Sequence, residues 1–329
     1  MSKTFDNAKK KVKLLLIKNP NVMRKMQFAY NILLKRERLM KRCSFGDKNP
    51  DKTIFVIRPN SEDGIQGLMS LFIQTMRWFE YADSNGYKTY VDFLNYKTQY
   101  YDGKNNAWDY YFKQDLSNEE VYSSKNVILS GNRWSKTVSP QLFRENIFKS
   151  SNVDCCHQII KNHVVLSEEV EELLATEAER LNISECLGLY VRGTDYIQLK
   201  PTGEFVQPDI QDVIKKVWEF LRNHNNPPIF LVTEDGAYYR KLKSEFGEKI
   251  VLVSYDSFIE NYDGKDYLSR SNVLKEDKKQ RGMEYLVKIL LISKCRYLVS
   301  SITTGSLAAY SFNGGNYEDE YIFDLGLYK

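Results

Sequence analysis

Apolar residues in this chain come in short runs, separated by stretches in which they recur every three or four positions. The runs read as buried strands and the stretches as one-sided helices. Residues 53–58 form the first run, and a polar loop over 59–67 follows it. From 68 to about 84, Leu71, Phe72, Thr75, Met76 and Phe79 share one helix face, and Asn85-Gly86 supplies a stop. Residues 89–93 and 126–130 predict two more strands, and 140–149 a helix. Residues 95–125 are rich in Tyr, Asn and Trp with weak periodicity, which predicts a structured excursion. Ser167 is placed to cap a helix running through Leu181, with Glu168 and Glu169 at its positive end.

The second half repeats more regularly. Strands are predicted at 186–191, 229–232, 249–254, 297–300 and 321–324, and helices at 208–223, 237–246, 283–293 and 304–312. Strict alternation of strand and helix predicts an α/β fold with a mostly parallel, doubly wound sheet. The first half is a looser version of the same design. The expected organisation is a helical arm over residues 1–44, a Rossmann-like domain over 45–181 and another over 182–329. Two such domains facing each other enclose a cleft, and open parallel sheets bind ligands at the carboxyl ends of their strands.

Charge sets the arm apart. Residues 1–42 hold 13 Lys/Arg and 2 Asp/Glu, a charge of +11, whereas the other 287 residues hold 34 and 41, a charge of −7. The arm reads as two helices. Lys9, Lys10, Lys11 and Lys13 adjoin Leu14, Leu15, Leu16 and Ile17, and Asn19-Pro20 ends the first. Met23, Met26, Tyr30, Leu33 and Leu34 line one side of the second. A basic amphipathic helix suits an anionic membrane surface; the alternative is a helix pair packed on the body. No zinc-finger or RNA-recognition motif accompanies the basic residues, so no nucleic-acid partner is expected. No apolar run approaches the roughly 18 residues of a spanning helix, and no signal-peptide pattern opens the chain. The five cysteines lack a repeated CxxC spacing and only three histidines occur. Neither a disulfide framework nor a bound metal is expected.

Three polar clusters follow three strands of the second half. Arg192-Gly193-Thr194-Asp195 comes first, Thr233-Glu234-Asp235-Gly236 second, and Ser301-Ile302-Thr303-Thr304-Gly305-Ser306 third. In the third, hydroxyls and a glycine lead into a helix whose free N–H groups and positive dipole end suit a phosphate; the plainer reading is helix capping by Thr303 or Thr304. Arg192 carries a forked cation matched to a diphosphate, or it pairs with Asp195. Glu234 and Asp235 are placed to accept from ribose hydroxyls or a base, or to cap the helix at Ala237. The chain has no GxxxxGK[ST] loop, no GxGxxG after a strand and no GxSxG elbow. A diphosphate site without a P-loop, in a two-domain cleft, points to nucleotide-sugar chemistry. There the leaving diphosphate develops charge that an arginine and a helix start can stabilise without a metal.

Arg192-Gly193-Thr194-Asp195 resembles the donor motif of the fucosyltransferase superfamily (His-x-Arg-x-x-Asp in its common form), which includes protein O-, α1,6- and α1,2-fucosyltransferases. The stretch 53–329 also resembles bacterial glycosyltransferases of capsule, exopolysaccharide and O-antigen clusters, through GIQGLMSLF, YVRGTDY, FLVTEDG and SSITTGSLAAYSFNGGNY. The resemblance implies a GT-B architecture and metal-independent, inverting transfer from a nucleotide sugar, GDP-fucose by preference, to a glycan or lipid-linked glycan. It implies no cofactor. Arg192 then grips the β-phosphate, Thr303 and Thr304 match the hydroxyl pair, and Glu234-Asp235 the acidic pair. Tyr190 stands where the family often has His, and Gly193 where several members have a second Arg. An inverting transfer needs a general base. Asp63, beside Gly64 in the first loop, is the first choice, with Glu62, Asp195 and Glu204 as competitors. Lys200 and Gln207 are further candidates for donor or acceptor contact. The expected location is cytoplasmic, peripheral at the inner face of the cytoplasmic membrane. The rival readings are another nucleotide sugar, or a catalytically silent nucleotide- or sugar-binding protein on the same scaffold.

Overall fold

The computed structural model describes Val22, Lys25, Met26 and Ala29, and residues 39–59, 66–131, 150–268 and 277–329. The chain divides into two compact units, Met1–Ser167 with Asp277–Met283, and Glu168–Glu276 with Glu284–Lys329.

The first unit runs β1 (Lys41–Cys43), β2 (Ile54–Ile57), α1 (Leu68–Asp83), β3 (Lys88–Val91), β4 (Phe112–Lys113), α2 (Asn118–Val121), β5 (Val127–Leu129), α3 (Ser150–His163) and β6 (Val165–Leu166). Its main sheet has the order β1-β5-β2-β3, with β2 parallel to β3 and β5, and β1 antiparallel to β5. β2 is buried along its whole length, as its unbroken apolar run demands. Phe55 packs on Trp78 of α1 at 5.4 Å. Five elements go beyond the sequence expectation, the short β4, α2 and β6 besides β1 and α3. β1 falls within the stretch assigned to the arm: Lys41 and Arg42 are exposed on a short edge strand, a composition that discourages pairing with another chain. The Arg58 guanidinium donates to the Leu39 carbonyl at 3.2 Å and ties down the approach to β1. α3 is an additional helix, with Val153, Cys156, Ile159 and Ile160 as its buried side. The helix expected at 140–149 lies outside the described residues, as do nearly all of the arm's.

The second unit runs α4 (Glu168–Leu181), β7 (Leu187–Tyr190), α5 (Thr194–Leu199), α6 (Ile210–Asn223), β8 (Ile229–Val232), α7 (Gly236–Phe246), β9 (Ile250–Val251), α8 (Lys278–Ile292), β10 (Tyr297–Ser301), α9 (Thr304–Asn313) and β11 (Asp319–Phe323); the first residues of α8 group with the first unit. All five strands are parallel, in the order β11-β10-β7-β8-β9. Leu187, Leu189 and Val191 alternate into a core with Val213, Val217 and Leu242 of α6 and α7. Gly188 points the other way, where a Cβ would come within 3.1 Å of both Ile292 and Cys295. That alternation places helices on both faces. α4, which the sequence sets before a boundary at 181, is tied into this unit. Its buried Glu177 accepts from the Ser254 N–H at 3.2 Å, and Arg180 donates to the Leu252 carbonyl at 2.6 Å. Strand order reverses between β7 and β10, so the switch point of the sheet lies there. No helix among the described residues is long and apolar enough to cross a membrane.

Candidate functional site

Arg192, two residues beyond β7, stands at the switch point. Its Nη2 donates to both oxygens of Asp195, at 3.0 and 3.1 Å. Its Cζ lies 4.0 Å from the centre of the Tyr196 ring. Glu234 Oε1 lies 3.8 Å from Arg192 Nε, an ion-pair distance too long for a hydrogen bond. Burial works against the charge, but Tyr196, Asp195 and Glu234 outweigh it and hold the guanidinium above its ordinary pKa. Asp195 is itself buried and also accepts from the Leu268 N–H at 3.1 Å. The Arg192–Asp195 pair expected as one alternative is therefore formed.

The acidic pair after β8 shapes this turn. Glu234 Oε1 accepts from the Gly193 N–H at 3.1 Å and from the Thr194 hydroxyl at 2.8 Å. Asp235 Oδ2 accepts from the Thr194 N–H at 2.9 Å, while its Oδ1 caps α7 by accepting from Ala237 and Tyr238 at 2.8 and 3.0 Å. Thr194 is held at φ 41°, a left-handed conformation costly for a β-branched residue. Gly193 cannot carry a side chain here, because a Cβ would lie 2.3 Å from Asp235 Oδ2. Burial raises the Glu234 carboxyl above its usual pKa, with Arg192 and Thr194 pulling it back. Thr233 is buried, and its hydroxyl accepts from the Asp235 N–H at 3.3 Å.

Across the switch point, Thr303 and Ser306 form a capping box on α9. The Thr303 hydroxyl accepts from the Ser306 N–H at 3.1 Å, and the Ser306 hydroxyl from the Thr303 N–H at 2.8 Å. Thr304 is half-buried at the first position of the helix. Gly305 packs against Tyr190 and Tyr285, whose hydroxyls are 3.1 Å apart; a Cβ at 305 would lie 2.4 and 2.6 Å from them. The sequence reading had no role for Tyr285 or Tyr196. Tyr190 carried a signal, since period-two alternation from Gly188 sets it on the α8–α9 face.

Two donors near these strand ends, Arg192 Nε and Ser301 Oγ, are buried without a hydrogen-bond partner among the described residues. An unsatisfied buried polar group costs about 1–3 kcal/mol, and both atoms are of the type an oxyanion accepts from. Gln207 is buried, with Nε2 donating to the Phe205 and Ile302 carbonyls at 3.0 and 3.3 Å. Its contacts link the loop after α5 to the end of β10. Glu204 accepts from Tyr196 at 3.4 Å. Lys200 is exposed at the end of α5. Asp63, Gly64 and Glu62 lie outside the described residues. No group of three His, Cys, Asp or Glu that could hold a metal occurs among the described residues.

Solved structures share the architecture. POFUT1 in complex with GDP superposes with a TM-score of 0.53 at 8% identity, over 85% of this chain and 100% of that one. The complex of POFUT1 with GDP-fucose gives 0.50 over the same shares at the same identity. The fold is that of the GT-B fucosyltransferases. The fucosyltransferase NodZ from Bradyrhizobium matches at a TM-score of 0.48 and 12% identity, over 79% of this chain and 92% of that one. No protein-family model matches the chain, and no curated protein matches its sequence.

Proposed function

We propose that this protein is an inverting, metal-independent glycosyltransferase that uses GDP-fucose. The observation that carries the reading is Arg192, oriented by Asp195 and Glu234 at the switch point of a sheet whose architecture is that of POFUT1, a protein solved with GDP-fucose. In this reading Arg192 and the start of α9, with Ser301, Thr304 and Gly305, hold the diphosphate. An acceptor hydroxyl attacks the anomeric carbon from the face opposite the nucleotide. The bond from that carbon to the β-phosphate oxygen breaks, GDP leaves with the electron pair, and the hydroxyl proton passes to a base, Asp63 by preference. The charge that develops on the leaving diphosphate meets a fixed guanidinium and the positive end of a helix, so no bound cation is required. Glu234 and Asp235 act by holding the 192–194 turn rather than by touching ribose.

The acceptor in this reading is a glycan or lipid-linked glycan of capsule, exopolysaccharide or O-antigen assembly. The basic arm holds the enzyme at the inner face of the cytoplasmic membrane, where such acceptors are found. The test is GDP release from GDP-fucose by the purified protein, alone and with glycan acceptors, in EDTA. A thermal-shift panel of GDP, UDP, CDP and dTDP identifies the base, because a ligand at about 100 times its Kd adds roughly 2.7 kcal/mol. Stabilisation by GDP above the others supports the reading. Stabilisation by UDP or dTDP alone assigns another nucleotide sugar, and GDP binding with no GDP release assigns a binding protein.

A further inference from the structure

A groove of about 450 Å³ in the first unit runs along β3, within the roughly 300–1,000 Å³ usual for small-ligand sites. None of the strand-end residues above lines it. β3 ends its sheet, so one of its sides has no neighbouring strand. Lys88 and Asp92 donate to the Thr53 and Ile57 carbonyls on the β2 side. By the two-residue period, the N–H and C=O groups of Thr89 and Val91 face outward. At Val91 both are taken by the Gln114 side-chain amide, and the carbonyl also accepts from Asn106 Nδ2 at 2.7 Å. Gln114 Oε1 accepts from the Val91 N–H at 2.9 Å, and Gln114 Nε2 donates to the Val91 carbonyl at 3.2 Å. Thr89, which lines the groove two residues earlier, has no such partner among the described residues.

We propose that this groove is a carbohydrate-binding site that holds a vicinal diol against the backbone of Thr89. Two adjacent sugar hydroxyls do what Gln114 does one step along. One oxygen accepts from the N–H, and its neighbour donates to the carbonyl. Lys52, Lys88 and Lys113 and the carboxylates Asp83, Asp115 and Glu120 line the rim; Lys52, Lys88 and Asp115 offer further partners of both kinds, whereas Asp83 is paired to His163 at 2.8 Å and Glu120 accepts from Asn49 at 3.3 Å. Three lysines against three carboxylates leave little net field for a phosphate. A fatty chain would strip water from the charged rim without replacing its hydrogen bonds. Leu116 and the exposed Val165 supply an apolar wall for the CH face of a ring. The open edge at Thr89 stops at the capped Val91, too short for an added peptide strand, which runs to several residues.

The site does not depend on the transferase reading, and saturation-transfer NMR on the full-length protein tests it. The probes are the methyl glycosides of galactose, glucose and mannose. Val165 is 55% exposed on the groove wall, so Val165→Trp fills the groove at little risk to the fold. Thr89→Pro removes the outward N–H without losing a ladder bond, as edge strands tolerate. At least one glycoside is expected to show ring-proton transfer, lost in both variants and unaffected by excess GDP. GDP binding is expected to be equal in all three proteins. Transfer that survives Val165→Trp, or that GDP abolishes, overturns the proposal. So does a folded wild type that shows transfer with none of the probes. Self-association that Thr89→Pro abolishes would assign the edge to a second copy instead.

Discussion

Asp235 accepts three backbone hydrogen bonds, two from the start of α7 and one from Thr194. The types of residue at the strand ends were legible in the sequence, because a parallel sheet gathers there whatever follows each strand. Which carboxylate is committed to the turn was not legible, because the partners lie some 40 positions away and meet only through the β7–β8 pairing. Glu234 gives a test with a definite sign. Its pKa is raised above 4.5 by burial, with Arg192 and Thr194 opposing. Between the unfolded and folded values the native protein binds more protons than the unfolded chain. Stability therefore falls as pH rises from about 4.5, levelling off above the folded value. Glu234→Gln cannot titrate but keeps an oxygen for Gly193 and Thr194. The melting temperature of E234Q relative to wild type is expected to climb with pH through that window, and a flat difference would contradict a raised Glu234 pKa.

At the scale of elements, the two threonines that open α9 are expected to separate. Thr303 closes a capping box, so Thr303→Ala should cost about 1 kcal/mol of stability in urea unfolding. Thr304 makes no cap bond, so Thr304→Ala should leave unfolding unchanged and weaken nucleotide binding in calorimetry. Gly193→Ala forces a methyl onto Asp235 and should destabilise by about 1–3 kcal/mol, as overpacking does. The helices α4 and α6 were readable because each carries its buried side at spacings of three and four, and α1 and α9, buried nearly all round, because each is a long apolar stretch that begins beyond a polar loop. α3 was not: its buried Val153, Cys156 and Ile160 recur at spacings of three and four, but the Ser, Asn, Asp and Cys residues around them are weak helix formers. The start of α8 was missed because Lys278, Lys279, Gln280 and Arg281 show no apolar period. β1 was hidden by its charge, which is what an exposed edge strand requires.

For the molecule as a whole, the charge of +11 over residues 1–42 against −7 over the rest predicts salt-sensitive binding to anionic vesicles. Each basic residue near such a surface contributes roughly 1 kcal/mol. A truncation must keep β1 and the Leu39 contact, so the comparison is full-length protein against a chain beginning at Leu39. The full chain is expected to sediment with phosphatidylserine vesicles at low salt and the shortened one to stay in solution. If neither sediments, the arm is not a membrane anchor. The α/β class and the parallel sheet were legible because alternating apolar runs leave few other topologies. The strand order was not, since one right-handed alternation of strand and helix serves several orders. What that order brings together, Arg192 beside the start of α9, is the centre of the account, and GDP calorimetry in EDTA on wild type, Arg192→Ala and Arg192→Lys tests it most directly. Wild type is expected to bind GDP more tightly than UDP, with Arg192→Ala losing the binding while melting normally. Arg192→Lys should recover little, because an ammonium does not reproduce the guanidinium fork. Undiminished GDP binding by well-folded Arg192→Ala protein would contradict it.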